Sequence, residues 1–178
     1  NPEAALVHFH EYLGELFRRP NWPDELASLE RPEVLNALAQ LLGVSHFLWD
    51  DFLRMQHENL FPVVRDMAAL PLPKDKAQLA AELALALQQA QAEGKSAQER
   101  RAAWREELNA FKDREMFRVD MRNILGYIPN PAQFSVELTD LVETVVEAAY
   151  RLCDEELAAQ FGRPQQEDGR PSVIRVCA

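Results

Sequence analysis

Proline and glycine cut this chain into segments whose apolar residues recur every three or four positions, and that rhythm limits the fold to packed helices. Asn1-Pro2 opens the first segment, because Asn caps a helix well and proline's missing N–H costs nothing at the first helical position. From there to about Arg18, Leu6, Phe9, Leu13, Leu16 and Phe17 predict one inward stripe. Pro20 and Pro23, around Asn21 and Trp22, are expected to end it. A second helix is predicted from Pro32 to Gly43, with Val34, Leu35, Leu38, Leu41 and Leu42 inward. Ser45 reads as the cap of a third, which carries Phe47, Leu48, Phe52, Met55 and Leu60 before Pro62 interrupts it.

Leu70-Pro71-Leu72-Pro73 is a connector that cannot be helical, and Asp75 follows it as a cap. Ala77 to Ala92 is rich in Ala, Leu and Gln, so propensity and pattern both predict a helix, stopped by Gly94. Ser96-Ala97-Gln98-Glu99 matches a capping box, and a long helix is predicted from it to Gly126. Pro129, Asn130 and Pro131 break the chain. Ser135 is expected to cap a last helix carrying Leu138, Leu141, Val142, Val145, Ala149 and Leu152, closed by Gly162-Arg163-Pro164. After the polar loop 165–171, Ser172 to Ala178 turns β-branched and apolar, like a strand. A lone strand has nothing to pair with in a helical chain, so it is expected to open a further domain. The expected fold is an all-α multi-helix bundle over residues 1–164, a linker over 165–171 and a C-terminal β-strand stub over 172–178. No internal repeat is present.

A chain of 178 residues buries roughly 70% of its extended surface, enough for a sizeable core. Its net charge of -10 and pI near 4.9 oppose attraction to a phosphate backbone, so nucleic acid is not expected as a partner. Neither is a membrane, since no stretch approaches the roughly 18 apolar residues of a spanning helix. The opening Asn1-Pro2-Glu3 is unlike a secretory signal, and a cytoplasmic location is expected. Cys153 and Cys177 are too few and too far apart for a disulfide framework or a zinc site and read as reduced thiols.

Chemistry is harder to find. His8 and His10 point to different faces of a helix, and His57-Glu58 lacks the second His of a helical metal motif. Asp50-Asp51 with Arg54 has no second acidic motif to complete a magnesium site. No phosphate loop or nucleophile elbow appears, so no catalytic, cofactor-binding or metal-binding residue is assigned. The long helix nevertheless has one unusual feature. Trp104, Leu108 and Phe111 form an apolar stripe whose next positions are Glu115, Arg118 and Arg122, with Arg114 beside them. These charges make either a solvated helix end or a partly buried network reaching Asp140, Glu143 or Glu147 on the last helix, or an adjoining domain.

The run Lys112-Asp113-Arg114-Glu115-Met116-Phe117-Arg118-Val119-Asp120-Met121-Arg122-Asn123-Ile124-Leu125-Gly126 resembles the Arg-Glu-Met-x-Arg helix that precedes a nucleotidyltransferase domain in glutamine synthetase adenylyltransferases. Asn1 to Leu6, Leu38 to Leu48, Phe134 to Leu141 and Tyr150 to Cys153 are similar to other segments of that family, in the same order. The resemblance implies that Val173 to Ala178 leads towards a Gly-rich turn and catalytic aspartates beyond this chain. It also implies an inactive fragment of an adenylyltransferase, with ATP and Mg2+ belonging to the catalytic domain. That domain, and glutamine synthetase, are the partners implied. A helical interaction module unrelated to nucleotidyl transfer is the alternative the residues leave open.

Overall fold

In the computed structural model, the described residues are 2–18, 20, 22–43, 68–90, 96–166, 170 and 172. They form the helices α1 (Pro2–Leu16), α2 (Trp22–Ser28), α3 (Pro32–Leu42), α4 (Lys76–Ala90), α5 (Ala97–Ile124) and α6 (Pro131–Phe161). The class is all-α and multi-helix, as the apolar spacing predicts. The helix expected from Ser45 to Leu60 lies outside the described residues, as do Gly94 and all of the expected strand except Ser172.

Capping explains where the helices begin. Asp75 Oδ1 accepts the Gln78 N–H at 2.8 Å while Gln78 Oε1 accepts the Asp75 N–H at 3.0 Å, a reciprocal box at the head of α4. Ser96 and Glu99 repeat the arrangement before α5, at 3.3 and 2.7 Å. The expected Ser135 cap is wrong. Asn130 Oδ1 accepts the Gln133 N–H at 2.9 Å and Pro131 takes the first helical position, so α6 starts one turn earlier. Ser135 sits inside that turn, its hydroxyl donating to the Pro131 carbonyl at 3.0 Å. The first helix ends at Leu16, before Pro20 and Pro23, and Pro23 also helps to open the next one. It lies in the first turn of α2, where a missing N–H is harmless, and Leu26 and Leu29 of this region join the core.

The chain divides into two compact units, Asn1–Pro73 with Asp113–Val136, and Lys74–Lys112 with Glu137–Ala178. In the first unit α1 packs on α3. Tyr12, Leu16, Val34, Leu38, Leu42, Leu70, Phe117 and Met121 are its buried centre. The inward face of α1 runs through His8, Tyr12 and Leu16, so the predicted Leu6 and Phe17 stand in solvent at 71% and 53% exposure. His8 is accommodated because its Nδ1 lies 2.9 Å from the Leu42 carbonyl. A carbonyl can only accept, which places the proton on Nδ1. Phe17 instead meets Trp22 edge to face, ring centroids 5.4 Å apart.

In the second unit, Leu79, Leu83 and Leu87 of α4 bury one face against Phe111 of α5 and Leu141 and Ala148 of α6, with Trp104, Leu108, Val145 and Leu152 around them. Val142, predicted inward, is exposed. Thr144 is buried instead, its hydroxyl satisfied by donating to the Asp140 carbonyl at 2.7 Å. Beyond α6, the Gln166 N–H donates to the Arg170 carbonyl at 2.8 Å and the Ser172 N–H to the Pro164 carbonyl at 3.0 Å. Ser172 therefore has a backbone partner within this chain, in the residues just after Gly162.

Candidate functional site

The stripe on α5 stays buried where its chemistry changes. Phe111 is 0% exposed, and the next positions on the same side, Glu115, Arg118 and Arg122, are 2%, 8% and 2% exposed. Apolar Phe111 belongs to the second unit and the three charged residues to the first. A buried charge is tolerated only when paired and hydrogen-bonded, so each of these groups must be matched.

Glu115 and Arg118 match one another. One helical turn apart, they bring Arg118 Nε to 2.7 Å from Glu115 Oε2. Arg114, one-third exposed, approaches the other carboxylate oxygen at 3.9 Å and so relieves the like-charge contact its spacing from Arg118 would create. One further guanidinium nitrogen of Arg118 and one of Arg122 turn to the backbone. Arg118 Nη1 donates to the Leu72 carbonyl at 3.3 Å, and Arg122 Nη1 donates to the Leu70 carbonyl at 2.6 Å. Both carbonyls precede prolines, Pro71 and Pro73, in a segment that no helix or sheet can continue. Arginine, with planar donors on a long stem, suits such isolated acceptors.

The end of α5 is built to hold this geometry. Gly126 adopts φ 77°, the Tyr127 N–H donates to the Arg122 carbonyl at 2.9 Å, and the Gly126 N–H donates to the Asn123 carbonyl at 3.1 Å. This is the Schellman closure, in which a left-handed glycine lets two terminal carbonyls find donors. A Cβ on Gly126 would meet nothing within 4 Å, so backbone conformation and not crowding asks for glycine there. Arg122 is thereby anchored through both its carbonyl and its side chain.

Two of the three acids expected as partners on the last helix, Glu143 and Glu147, are held by another residue. Lys76 Nζ lies 2.8 Å from Glu143 Oε2 and 2.6 Å from Glu147 Oε1, and these hydrogen bonds, Glu143 first, raise the lysine's pKa above its ordinary value. Sequence reasoning missed the carbonyls of Leu70 and Leu72. The signal was the Leu-Pro-Leu-Pro spelling itself, which guarantees acceptors outside any regular ladder. It also missed Asp120, whose carboxyl is pushed up to about 6 by burial.

Among the described residues, no three His, Cys, Asp or Glu side chains come together in a way that could hold a metal ion. Asp50, Asp51 and His57 lie outside those residues, as does Cys177, and Cys153 is exposed. No described helix is long and apolar enough to cross a membrane. The first unit carries an open apolar groove of about 700 Å³ along α1 and α3, lined by residues such as Ala5, Leu6, Phe9, Leu35 and Leu42. None of its described lining residues is charged.

What the site can do chemically is architectural, pinning a proline-bearing crossover to a helix. No curated protein and no solved structure matches the chain. The sequence model of the glutamate-ammonia ligase adenylyltransferase family matches residues 35–178, a span that takes in the whole of α5 with its Arg-Glu-Met-x-Arg segment. That match covers well over half of the chain, and the chain belongs to the glutamate-ammonia ligase adenylyltransferase family.

Proposed function

We propose that this chain is a non-catalytic helical region of a nucleotidyltransferase of the kind that adenylylates and deadenylylates glutamine synthetase. It positions the catalytic domain and contributes to binding the protein substrate. The observation that carries this reading is the inward orientation of the segment that resembles the family. Glu115, Arg118 and Arg122 are directed at one another and at the carbonyls of Leu70 and Leu72, so their charges serve the scaffold and are not offered to a nucleotide.

ATP and Mg2+ are the cofactors of the catalytic domain in this reading. The described residues of this chain do not fit them, since they bring no carboxylate cluster together, and no step is assigned to either here. The partners are the nucleotidyltransferase domain and glutamine synthetase, and the compartment is the cytoplasm.

Adenylyl transfer and removal on glutamine synthetase, measured for the natural full-length protein and for this chain side by side, tests the reading. Activity in the full-length protein and none in the chain is expected. Activity in the isolated chain would overturn the scaffold role, and inactivity in both would transfer the assignment to a helical interaction module.

A further inference from the structure

We propose that the outward face of α6, from Val142 to Phe161, is a docking surface for a basic amphipathic helix of a partner protein. Helices of globular domains turn one stripe inward and leave the opposite side polar. The inward stripe of α6 passes through Leu141, Thr144 and Ala148. Its outward side is not polar. Val142, Val146, Cys153, Leu157 and Phe161 are exposed, at 51%, 37%, 54% and 74% for the two valines, Leu157 and Phe161 in order. At 3.6 residues per turn these five fall within a sector of about 100°, a ridge roughly 28 Å long. Apolar residues thus predominate along the outward side of α6, with Gln160 and Glu143 as the polar residues in the same sector, and apolar surface of that length marks an interaction surface. Its spacing is that of the i, i+4, i+7 anchors by which two helices recognise each other.

Charge beside the ridge selects the partner. Asp140, Glu143, Glu147 and Asp154 recur along one flank of α6, at the three-, four- and seven-residue steps that put them in a row. Lys76 engages Glu143 and Glu147, Arg163 reaches Asp154 at 4.0 Å, and Arg151 stands one turn from both Glu147 and Asp154, so among the described residues the four acids of this edge still outnumber its cations. The chain's net charge of -10 adds to its potential. A second copy packed antiparallel on the ridge would set this acidic row against itself. A helix with apolar anchors and flanking lysines or arginines satisfies both features.

Fluorescence anisotropy with a labelled Leu/Lys amphipathic peptide of about five helical turns tests the proposal on the whole chain. Saturable binding that weakens with salt is expected, and a Leu/Glu peptide of the same pattern should not bind. The double substitution Val146→Gln and Leu157→Gln, at exposed positions, should weaken binding about tenfold or more while leaving the thermal melt unchanged. The proposal is overturned by no binding, by binding that the double substitution does not weaken, or by equal binding of both peptides. Dimerisation of the chain that the same substitutions abolish would also overturn it, by assigning the ridge to a second copy.

Discussion

Replacing Arg122 with Met isolates what the buried tether contributes, because methionine keeps an unbranched stem in the same space but carries no donor. The Leu70 carbonyl, on a residue 2% exposed, then loses the bond it receives at 2.6 Å. A hydrogen bond to a charged donor contributes about 1.5–3 kcal/mol, and leaving its buried acceptor unmatched costs about 1–3 kcal/mol in place of that. Removing a guanidinium from the interior returns part of its desolvation cost, which opposes the loss. The expected net destabilisation is about 2–3 kcal/mol. For a chain of this size that lowers the melting temperature by roughly 5–10 °C, and in urea it moves the midpoint down by about 1 M. Thermal and urea unfolding followed by circular dichroism measure it. A shift below about 2 °C, or a stabilisation, would refute the claim that this arginine holds the Leu70 crossover.

Arg118→Met should cost more, about 3–5 kcal/mol, because it takes away the guanidinium that lies 2.7 Å from the buried Glu115 carboxylate. Adding Glu115→Gln to it should restore part of the loss in a double-mutant cycle, and strict additivity would count against the pair. Asn130→Ala should destabilise by about 1 kcal/mol while Ser135→Ala stays within about 0.5 kcal/mol, and denaturant titration of both decides which residue caps α6. Asp120 sets a pH dependence of definite sign. Its folded pKa of about 6 exceeds the ordinary carboxylate value, so the folded state holds the proton more tightly, and stability falls as pH rises from about 4 to about 6. Asp120→Asn should remove that slope and stabilise the chain at pH 7 by about 1 kcal/mol, a figure reduced for partial exposure. An unchanged pH profile of urea midpoints would show that the carboxyl is not desolvated.

Local rules were legible wherever one residue satisfies its own neighbours. Asp75 and Ser96 cap as their spelling predicts, since each box closes within four residues. Two signals compete at the head of α6, and the Asn130-Pro131 pair prevails over Ser135 because proline at the first helical position needs a cap directly before it. Pro23 is ambiguous for a related reason, as proline serves equally to end one helix and to start another. Periodicity reveals that α1 has an inward stripe, but not that the stripe is centred on His8 and Tyr12, since the Leu42 carbonyl that accommodates His8 is 34 residues away.

The helical class, most helix ends and the anomaly on α5 are written in the order of the residues, because those depend on spacing and on contacts within a few positions. The family is written there too, through the order of segments around Arg114, Glu115 and Arg118. What the anomaly means depends on packing. A run of Glu and Arg on a helix reads identically whether it faces water or a core, and the difference lies in whether distant groups supply matching donors and acceptors. Here the carbonyls of Leu70 and Leu72 do so for Arg118 and Arg122. Lys76 takes Glu143 and Glu147 in the same way, from the far end of a different helix. Long-range pairing of this kind is set by how the helices pack, and no local pattern encodes it.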